Sequence, residues 1–384
     1  MWSAVKITDM PVSFSVVIPA CDQLAALQHC LPAVLAQDYD DMEVIVVDVA
    51  STDGTAEYLE QMEVCDHRLH HTAVPASARD ISVERLALAL GCRAARFDWV
   101  VITHADCEPV SAQWLSSLAE AIATKPDADL VLGYARYQPA PKSWQHYRED
   151  YYRLWHTLAM QSHVRSGHAA VRADGANVVF RREALFAQGG FSAGQTLLSG
   201  AEELMANSIS TPQNTVVASG MEAAVLEQRP ASARLWHQQR LFYAETRRHQ
   251  QHAVWYRIRQ FLRMVAPWLV VLFVLLPLAA LVVLLCNMDS LPQVLTDRMA
   301  AFDAAHGEGI SYQVVVVATL ALALLTLAYY TVRLFSFNRA AHRLGWHSFY
   351  FTLPVFDLAL PFWQLTTAMR HLFTPKSTFR KRFV

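Results

Sequence analysis

Hydrophobic positions in the first 228 residues come in short blocks separated by polar turns, and the blocks alternate between two periods. Continuous apolar runs of strand length occupy 14–18, 44–48 and 99–103, while apolar residues at helical spacing occupy 24–36, 55–62 and 84–96. Strand and helix therefore alternate, which predicts an α/β fold of parallel strands joined by crossover helices. In such a sheet, ligands sit beyond the carboxyl ends of the strands, so the residues just after each run are the candidates for chemistry.

After residue 228 the pattern changes. The stretch 229–264 carries Arg234, Arg240, Arg247, Arg248, Arg257, Arg259 and Arg263, with Glu245 its only acid. Leu235, Trp236, Leu241, Phe242, Trp255, Ile258 and Phe261 recur there at helical intervals, predicting a basic amphipathic juxtamembrane helix on anionic membrane lipids. Residues 265–286 are uncharged and match the roughly 20 residues that cross a bilayer. Residues 314–332 repeat that pattern and close on Tyr329 and Tyr330, which suits the interface.

Orientation follows from the flanks. Arg257, Arg259 and Arg263 precede the first span, and Arg333, Arg339 and Arg343 follow the second. The stretch 287–313 between them has Arg298 as its only Lys or Arg, beside Asp289, Asp297, Asp303 and Glu308, and belongs outside the cytoplasm. A third apolar stretch, 346–368, is broken by Asp357, Pro354, Pro361 and His347. A span there would place Lys376, Arg380, Lys381 and Arg382 outside, so 333–384 reads as an interfacial or re-entrant segment with a basic cytoplasmic tail. The expected organisation is a multi-pass protein of the cytoplasmic (inner) membrane, with domain 1–228 facing the cytoplasm.

Composition agrees. Charged residues are 17% and hydrophobic residues 53%, where soluble chains carry about 25% charged residues. The net charge of −2 argues against a surface for nucleic acid. The six cysteines form no Cys-x-x-Cys pair, which suits reduced thiols, and Lys6 and Asp9 interrupt the first ten residues, so no signal-peptide core is expected there. The sequence contains no dinucleotide-binding glycine fingerprint, P-loop, nucleophile elbow or His-Glu-x-x-His motif.

Each strand end delivers a carboxylate. Pro19, Cys21 and Asp22 follow the first run; Asp48, Ser51, Thr52 and Asp53 follow the second; His104 and Asp106 follow the third. Ser51, Thr52 and Asp53 are equally suited to capping the helix that follows. Joined to Leu132-Gly133-Tyr134, Gly175-Ala176-Asn177, Phe180-Arg181-Arg182 and Gly189-Gly190-Phe191, this ordered set resembles the family 2 glycosyltransferases over about 13–240. The resemblance implies the GT-A fold, a Rossmann-like mixed sheet of nucleotide-diphospho-sugar transferases, here followed by C-terminal transmembrane helices. It is also similar to members that use lipid-linked or membrane-associated acceptors.

What the resemblance implies is transfer of a sugar from a nucleotide diphosphate donor to an acceptor hydroxyl, with inversion, in polysaccharide or glycolipid synthesis. Asp106 matches the last Asp of the family's Asp-x-Asp triplet, the ligand for Mg²⁺ or Mn²⁺. Pro19, Asp22, Asp48, Ser51 and Asp53 match the nucleoside side, and Gly175 to Asn177 the donor-sugar pocket. Glu202 matches the acidic position of the base motif, with Glu203 its neighbour. Trp236, Gln239 and Arg240 resemble a remnant of the Gln-Arg-Trp segment at the acceptor end or the diphosphate.

Three positions depart from that pattern. His104 stands where the triplet begins with Asp, Val49 where a second Asp often follows, and Ala201-Glu202-Glu203 where acids with an Asp are usual. An imidazole can ligate a metal or bond a ribose, yet brings no negative charge for a hard Mg²⁺. The departures leave open a degenerate nucleotide-sugar-binding scaffold that regulates a partner. A processive polysaccharide synthase is disfavoured by two spans and an incomplete Gln-Arg-Trp segment.

Overall fold

The run Phe14–Ala20 forms β1, buried along nearly its whole length, as expected of a strand covered on both faces. The computed structural model describes residues 12–74, 83–192, 197–286, 293–307 and 310–379. The expectations for the first ten residues, for 287–292 and 308–309, and for Arg380, Lys381 and Arg382 lie outside the described residues.

From β1 the chain passes through α1 (Leu24–Leu35), β2 (Met42–Val49), α2 (Thr55–Cys65), β3 (Leu69–Val74) and α3 (Val83–Ala94) to β4 (Trp99–Ile102). It then forms β5 (Cys107–Pro109), α4 (Trp114–Ala123), β6 (Leu130–Leu132), β7 (Tyr134–Tyr137) and α5 (Trp144–Arg165). Next come β8 (Val178–Arg181), α6 (Arg182–Ala187), α7 (Ala201–Ile209), β9 (Thr215–Val217), β10 (Ala224–Glu227) and α8 (Ala233–Thr246). The main sheet runs β3-β2-β1-β4-β8-β6-β9, and a small sheet runs β5-β10-β7. Strands β3, β2, β1 and β4 are mutually parallel, whereas β8 is antiparallel to both β4 and β6.

Apolar residues line both sheet faces. Val16, Val44, Val101 and Val179 pack with α1 and α4, and Val17, Val47, Val100 and Val178 with α3 and α7. Gly91 on α3 is needed for that second layer: a Cβ there would stand 2.4 Å from Val17 Cγ1, so only glycine lets the helix lie this close to β1. Between β1 and β2 a buried polar pair is matched, since Ser15 donates to Glu43 Oε1 at 2.5 Å and Arg96 reaches Glu43 Oε2 at 3.0 Å.

The chain divides into two units. The first comprises Met1–Tyr256, Ala341–Trp346 and Trp363–Val384; the second comprises Arg257–Ala340 and His347–Phe362. β1 and β2 run one or two residues beyond the expected ends, because Pro19, Met42 and Glu43 remain paired in the ladder, whereas β4 stops at Ile102, one residue short of the expected 99–103. The segment 229–264 is not one helix: α8 ends at Thr246, and α9 (Val254–Cys286) starts afresh and continues through 265–286 as one helix. Within 287–313, α10 (Gln293–His306) makes the expected loop largely helical.

The second unit contains most of α11 (Ile310–Arg343) and the start of α12 (Leu353–Phe373). Among the described residues one stretch, Val316–Arg343, is long and apolar enough to cross a membrane, with mean hydropathy 1.6. Val317, Leu320, Leu324 and Leu327 are exposed along it. Asp357, which interrupted the apolar pattern of 346–368, is 2% exposed on α12 and is gripped by the Arg333 guanidinium, whose Nη2 donates to Oδ1 at 2.5 Å. In the first unit the end of the chain packs on α8: Arg240 donates to Trp363 O at 3.0 Å, His371 meets Glu245 Oε2 at 2.8 Å, and Phe379 meets Phe242 edge-on.

Candidate active site

The chain leaves β1 toward β2 and β3, then returns to place β4 on the other side of β1. Loops after β1 and β4 therefore diverge above this reversal, leaving a crevice at the carboxyl ends of the strands. Pro19 lies on β1 opposite Val47, just below that rim.

The loops after β1 and β2 are stitched to each other. Asp22 Oδ1 accepts from Thr52 N at 2.7 Å and Thr52 Oγ1 at 3.1 Å, while Asp22 N donates to Ser51 Oγ at 2.9 Å. Asp48, 2% exposed, accepts from Ser51 N at 3.3 Å and from the Ser51 hydroxyl. Asp53 Oδ2 accepts from Leu24 N at 2.8 Å and Oδ1 from Thr55 Oγ1 at 2.6 Å. The Thr55 hydroxyl and then the Leu24 amide hold the Asp53 carboxyl below its ordinary value. Asp22 and Ala50 adopt φ of 50° and 47°, a left-handed backbone that alanine rarely takes. Asp22, Asp48, Ser51 and Asp53 thus form one connected rim.

β4 delivers the triplet. Thr103 N donates to Val17 O at 3.2 Å, which fixes the strand end against β1, and Cys107 N returns to His104 O at 3.1 Å as the chain turns into β5. Asp106, His104 and Cys107 each bring a ligand atom within 4.8 Å of the others. Burial pushes the Cys107 thiol up to about 12, so it is protonated and a poor ligand at neutral pH. One carboxylate and one imidazole remain. That set fits a divalent cation shared with phosphate oxygens, and suits Mn²⁺ better than Mg²⁺.

Glu202 and Glu203 start α7 after Gly200, and both are 2% exposed. Their side chains diverge. Glu203 Oε1 accepts from Arg172 Nε at 3.1 Å and Gln250 Nε2 at 2.8 Å; burial raises its carboxyl and Arg172 opposes the rise. Glu202 instead faces the strand ends, with Oε1 3.7 Å from His104 Nε2. A Cβ at Gly175 would lie 3.4 Å from the Glu202 carboxyl, so the missing side chain keeps this approach clear. Of the two acids, Glu202 is the one facing the Asp106 loop.

His104 is held well above the ordinary imidazole value: burial works against its charge, and contacts with Cys107 and Glu202 outweigh burial. Asn177, fully buried, lies in the same loop as Gly175 but is engaged elsewhere. Its Nδ2 donates to Tyr134 O at 3.0 Å and Ala223 O at 2.8 Å, and its Oδ1 accepts from Trp114 Nε1 at 3.3 Å. It fixes the loop that presents Gly175.

Gln239 and Arg240 line a cavity of about 90 Å³, room for several waters, with Tyr137, Arg153, Asp174 and Glu227. Arg153 bridges Asp174 Oδ2 at 3.2 Å and Glu227 Oε2 at 2.6 Å. The Arg240 guanidinium lies 4.3 Å over Tyr152 and 4.6 Å over Trp236. Gln228 N donates to Asp106 O at 3.0 Å, tying the strand that carries Glu227 to the Asp106 loop.

Sequence reasoning missed Glu84, Arg153, Asp174 and Glu227. Asp174 is the immediate neighbour of Gly175, and Glu227 ends an Ala-Val-Leu run, so inspecting that neighbour and that strand end would have found both. Glu84 and Arg153 sit inside helical patterns and give no such signal.

A profile described as glycosyl transferase family 2 matches residues 15–185. Glycosyltransferase GlyG from Streptococcus pneumoniae serotype 4 is 28% identical over 137 residues, 35% of this chain and 42% of that protein, so the chain spans less than half of its length. The mannosyltransferase PcManGT from Pyrobaculum calidifontis, solved in complex with GDP-Man and Mn²⁺, aligns at TM-score 0.50 and 21% identity over 83% of this chain and 88% of that one. That likeness establishes the fold. With its strand-end motifs in order on a mixed sheet of GT-A type, residues 15–185 form a glycosyl transferase family 2 domain, the domain of a sugar-transferring enzyme.

Proposed function

We propose that this chain is a membrane-anchored, inverting glycosyltransferase that moves a sugar from a nucleotide-diphosphate-sugar donor to an acceptor hydroxyl at the cytoplasmic face. The observation that carries the proposal is the approach of buried Glu202 to the loop after β4: a carboxylate stands 3.7 Å from His104, two residues from Asp106. The complex of the Pyrobaculum protein with GDP-Man and Mn²⁺ is a precedent for that substrate class and cation on this fold. The apolar stretch Val316–Arg343 supports anchoring.

In this mechanism the nucleoside rests on the rim formed by Asp22, Asp48, Ser51 and Asp53, and the donor sugar lies beside Gly175. Asp106, with His104, would hold Mn²⁺ or Mg²⁺, which supplies positive charge against the leaving diphosphate. The acceptor, a glycan or a lipid-linked sugar, approaches through the cavity lined by Gln239 and Arg240, where Trp236 and Tyr152 offer stacking faces. Glu202 takes the hydroxyl proton as the acceptor oxygen bonds to the anomeric carbon. The carbon–oxygen bond to the diphosphate breaks on the opposite face, and its electron pair leaves with the nucleotide.

His104 favours a second reading, a nucleotide-sugar-binding scaffold for a partner enzyme, because an imidazolium beside Glu202 would hold that carboxylate as an ion pair. His104→Asp separates the two. Under the enzymatic reading, restoring the second carboxylate raises Mg²⁺-supported nucleotide release by about tenfold relative to the Mn²⁺-supported rate. Absence of turnover in both the natural protein and the variant, with donor still bound, supports the scaffold.

A further inference from the structure

We propose that Glu84, His104 and Glu202 form a zinc site that shares His104 with the Asp106 position but does not use Asp106. The three side chains come from separate elements: Glu84 from the first turn of α3, His104 from the loop after β4, and Glu202 from the first turn of α7. Their ligand atoms all lie within 4.8 Å of one another. Zinc bonds to imidazole nitrogen and carboxylate oxygen of about 2.0–2.1 Å put ligands on a tetrahedron whose edge is about 3.3 Å. The 3.7 Å between His104 Nε2 and Glu202 Oε1 is close to such an edge.

A second observation points to a missing ligand. Glu202 is 2% exposed, and its Oε1 and His104 Nε2 face each other at 3.7 Å, too far for a good hydrogen bond, with no other hydrogen-bond partner among the described residues. Buried polar atoms are almost always satisfied, and a cation between the two would satisfy both. A dication that displaces their protons would meet two carboxylates and a neutral imidazole. Arg85, buried nearby, acts on both acids and offsets part of their charge.

The donor set selects the metal. One imidazole and two carboxylates suit a borderline cation such as Zn²⁺, whereas Mg²⁺ prefers oxygen alone. Three protein ligands leave a fourth position for water. Zinc here would occupy the oxygen of Glu202 that otherwise takes the acceptor proton, and so would inhibit transfer; this consequence rests on the reading of Glu202 as the base, whereas the binding does not.

The test is a calorimetric titration of the purified full-length protein with Zn²⁺ in the absence of any donor. One equivalent binds, and Glu84→Gln, nearly isosteric, weakens it at least tenfold while the thermal midpoint changes little. Asp106→Ala leaves the zinc affinity within about threefold. The half-buried set of Glu63, His70 and His71 is the natural competitor, so Glu63→Gln is the control and leaves binding unchanged. Should Glu84→Gln fail to fold, Co²⁺ added to the natural protein gives the strong visible bands of a four-coordinate site. Unchanged zinc affinity in Glu84→Gln, loss in Glu63→Gln alone, or weak six-coordinate Co²⁺ bands would overturn the site and leave the transferase reading untouched. Zinc binding without any transferase activity would do the reverse.

Discussion

Asp106→Ala abolishes manganese-dependent binding of a nucleotide diphosphate sugar. At the carboxyl ends of β1, β2 and β4, Asp106 is the carboxylate of the triplet, because His104 replaces its partner and the Cys107 thiol is pushed up to about 12. Without Asp106 the donor diphosphate faces the His104 imidazole and no carboxylate of the triplet. A loss of about 3 kcal/mol, or roughly 100-fold in affinity, is expected. A calorimetric titration of donor with and without Mn²⁺ reads the effect directly. The variant should bind donor weakly and equally in both conditions. Cation dependence that survives the substitution would move the metal site away from Asp106.

Glu202→Gln has the opposite signature, sparing donor affinity while stopping transfer. The substitution keeps the shape of the side chain beside Gly175 and removes its ability to accept a proton. A positioned general base contributes about 10²–10⁴ in rate, so turnover should fall by that factor with donor affinity within about threefold. Glu203→Gln is the informative companion. Its carboxylate already receives Arg172 and Gln250, so removing that charge leaves buried Arg172 without its anion and reads mainly in the thermal midpoint. If Glu203→Gln stops transfer in a folded protein and Glu202→Gln does not, the two roles are exchanged.

Much of this architecture was legible because the parallel strands are buried on both faces. β1, β2 and β4 read as apolar runs interrupted only by Ser15, Glu43 and Asp48, and the polar residues after them could be found without coordinates. β3 was not legible: Leu69–Val74 contains two histidines and a threonine, tolerated because the strand lies at the sheet edge and pairs only with β2. The small sheet escaped notice because β5, β7 and β10 are three or four residues long, too short to show a period. Asp357 looked like a break in an apolar segment because its partner, Arg333, lies on another helix.

At the site, sequence order identified the groups that loops deliver but not how they are spent. Glu202 and Glu203 are adjacent and chemically alike, and only the fold turns one toward Arg172 and the other toward His104. Asn177 has the residue type of a sugar contact, yet its amide is consumed by Trp114, Tyr134 and Ala223. Glu84 was invisible for a related reason. A glutamate in the first turn of a helix is ordinary, favoured there by the helix dipole, until the fold brings it to His104 and Glu202. Burial and the neighbouring Glu202 raise its carboxyl well above the ordinary range, which no local pattern could signal.

The central claim is that carboxylates from separate loops meet at one sheet edge to activate a donor sugar. Release of nucleoside diphosphate by the purified full-length protein, followed with a panel of nucleotide sugars and a mixed glycan and lipid-linked acceptor pool, tests it most directly. The account predicts release that requires Mn²⁺ or Mg²⁺ and disappears in both Asp106→Ala and Glu202→Gln. A donor that binds at the strand ends yet is never consumed, or release that persists in both variants, would contradict it.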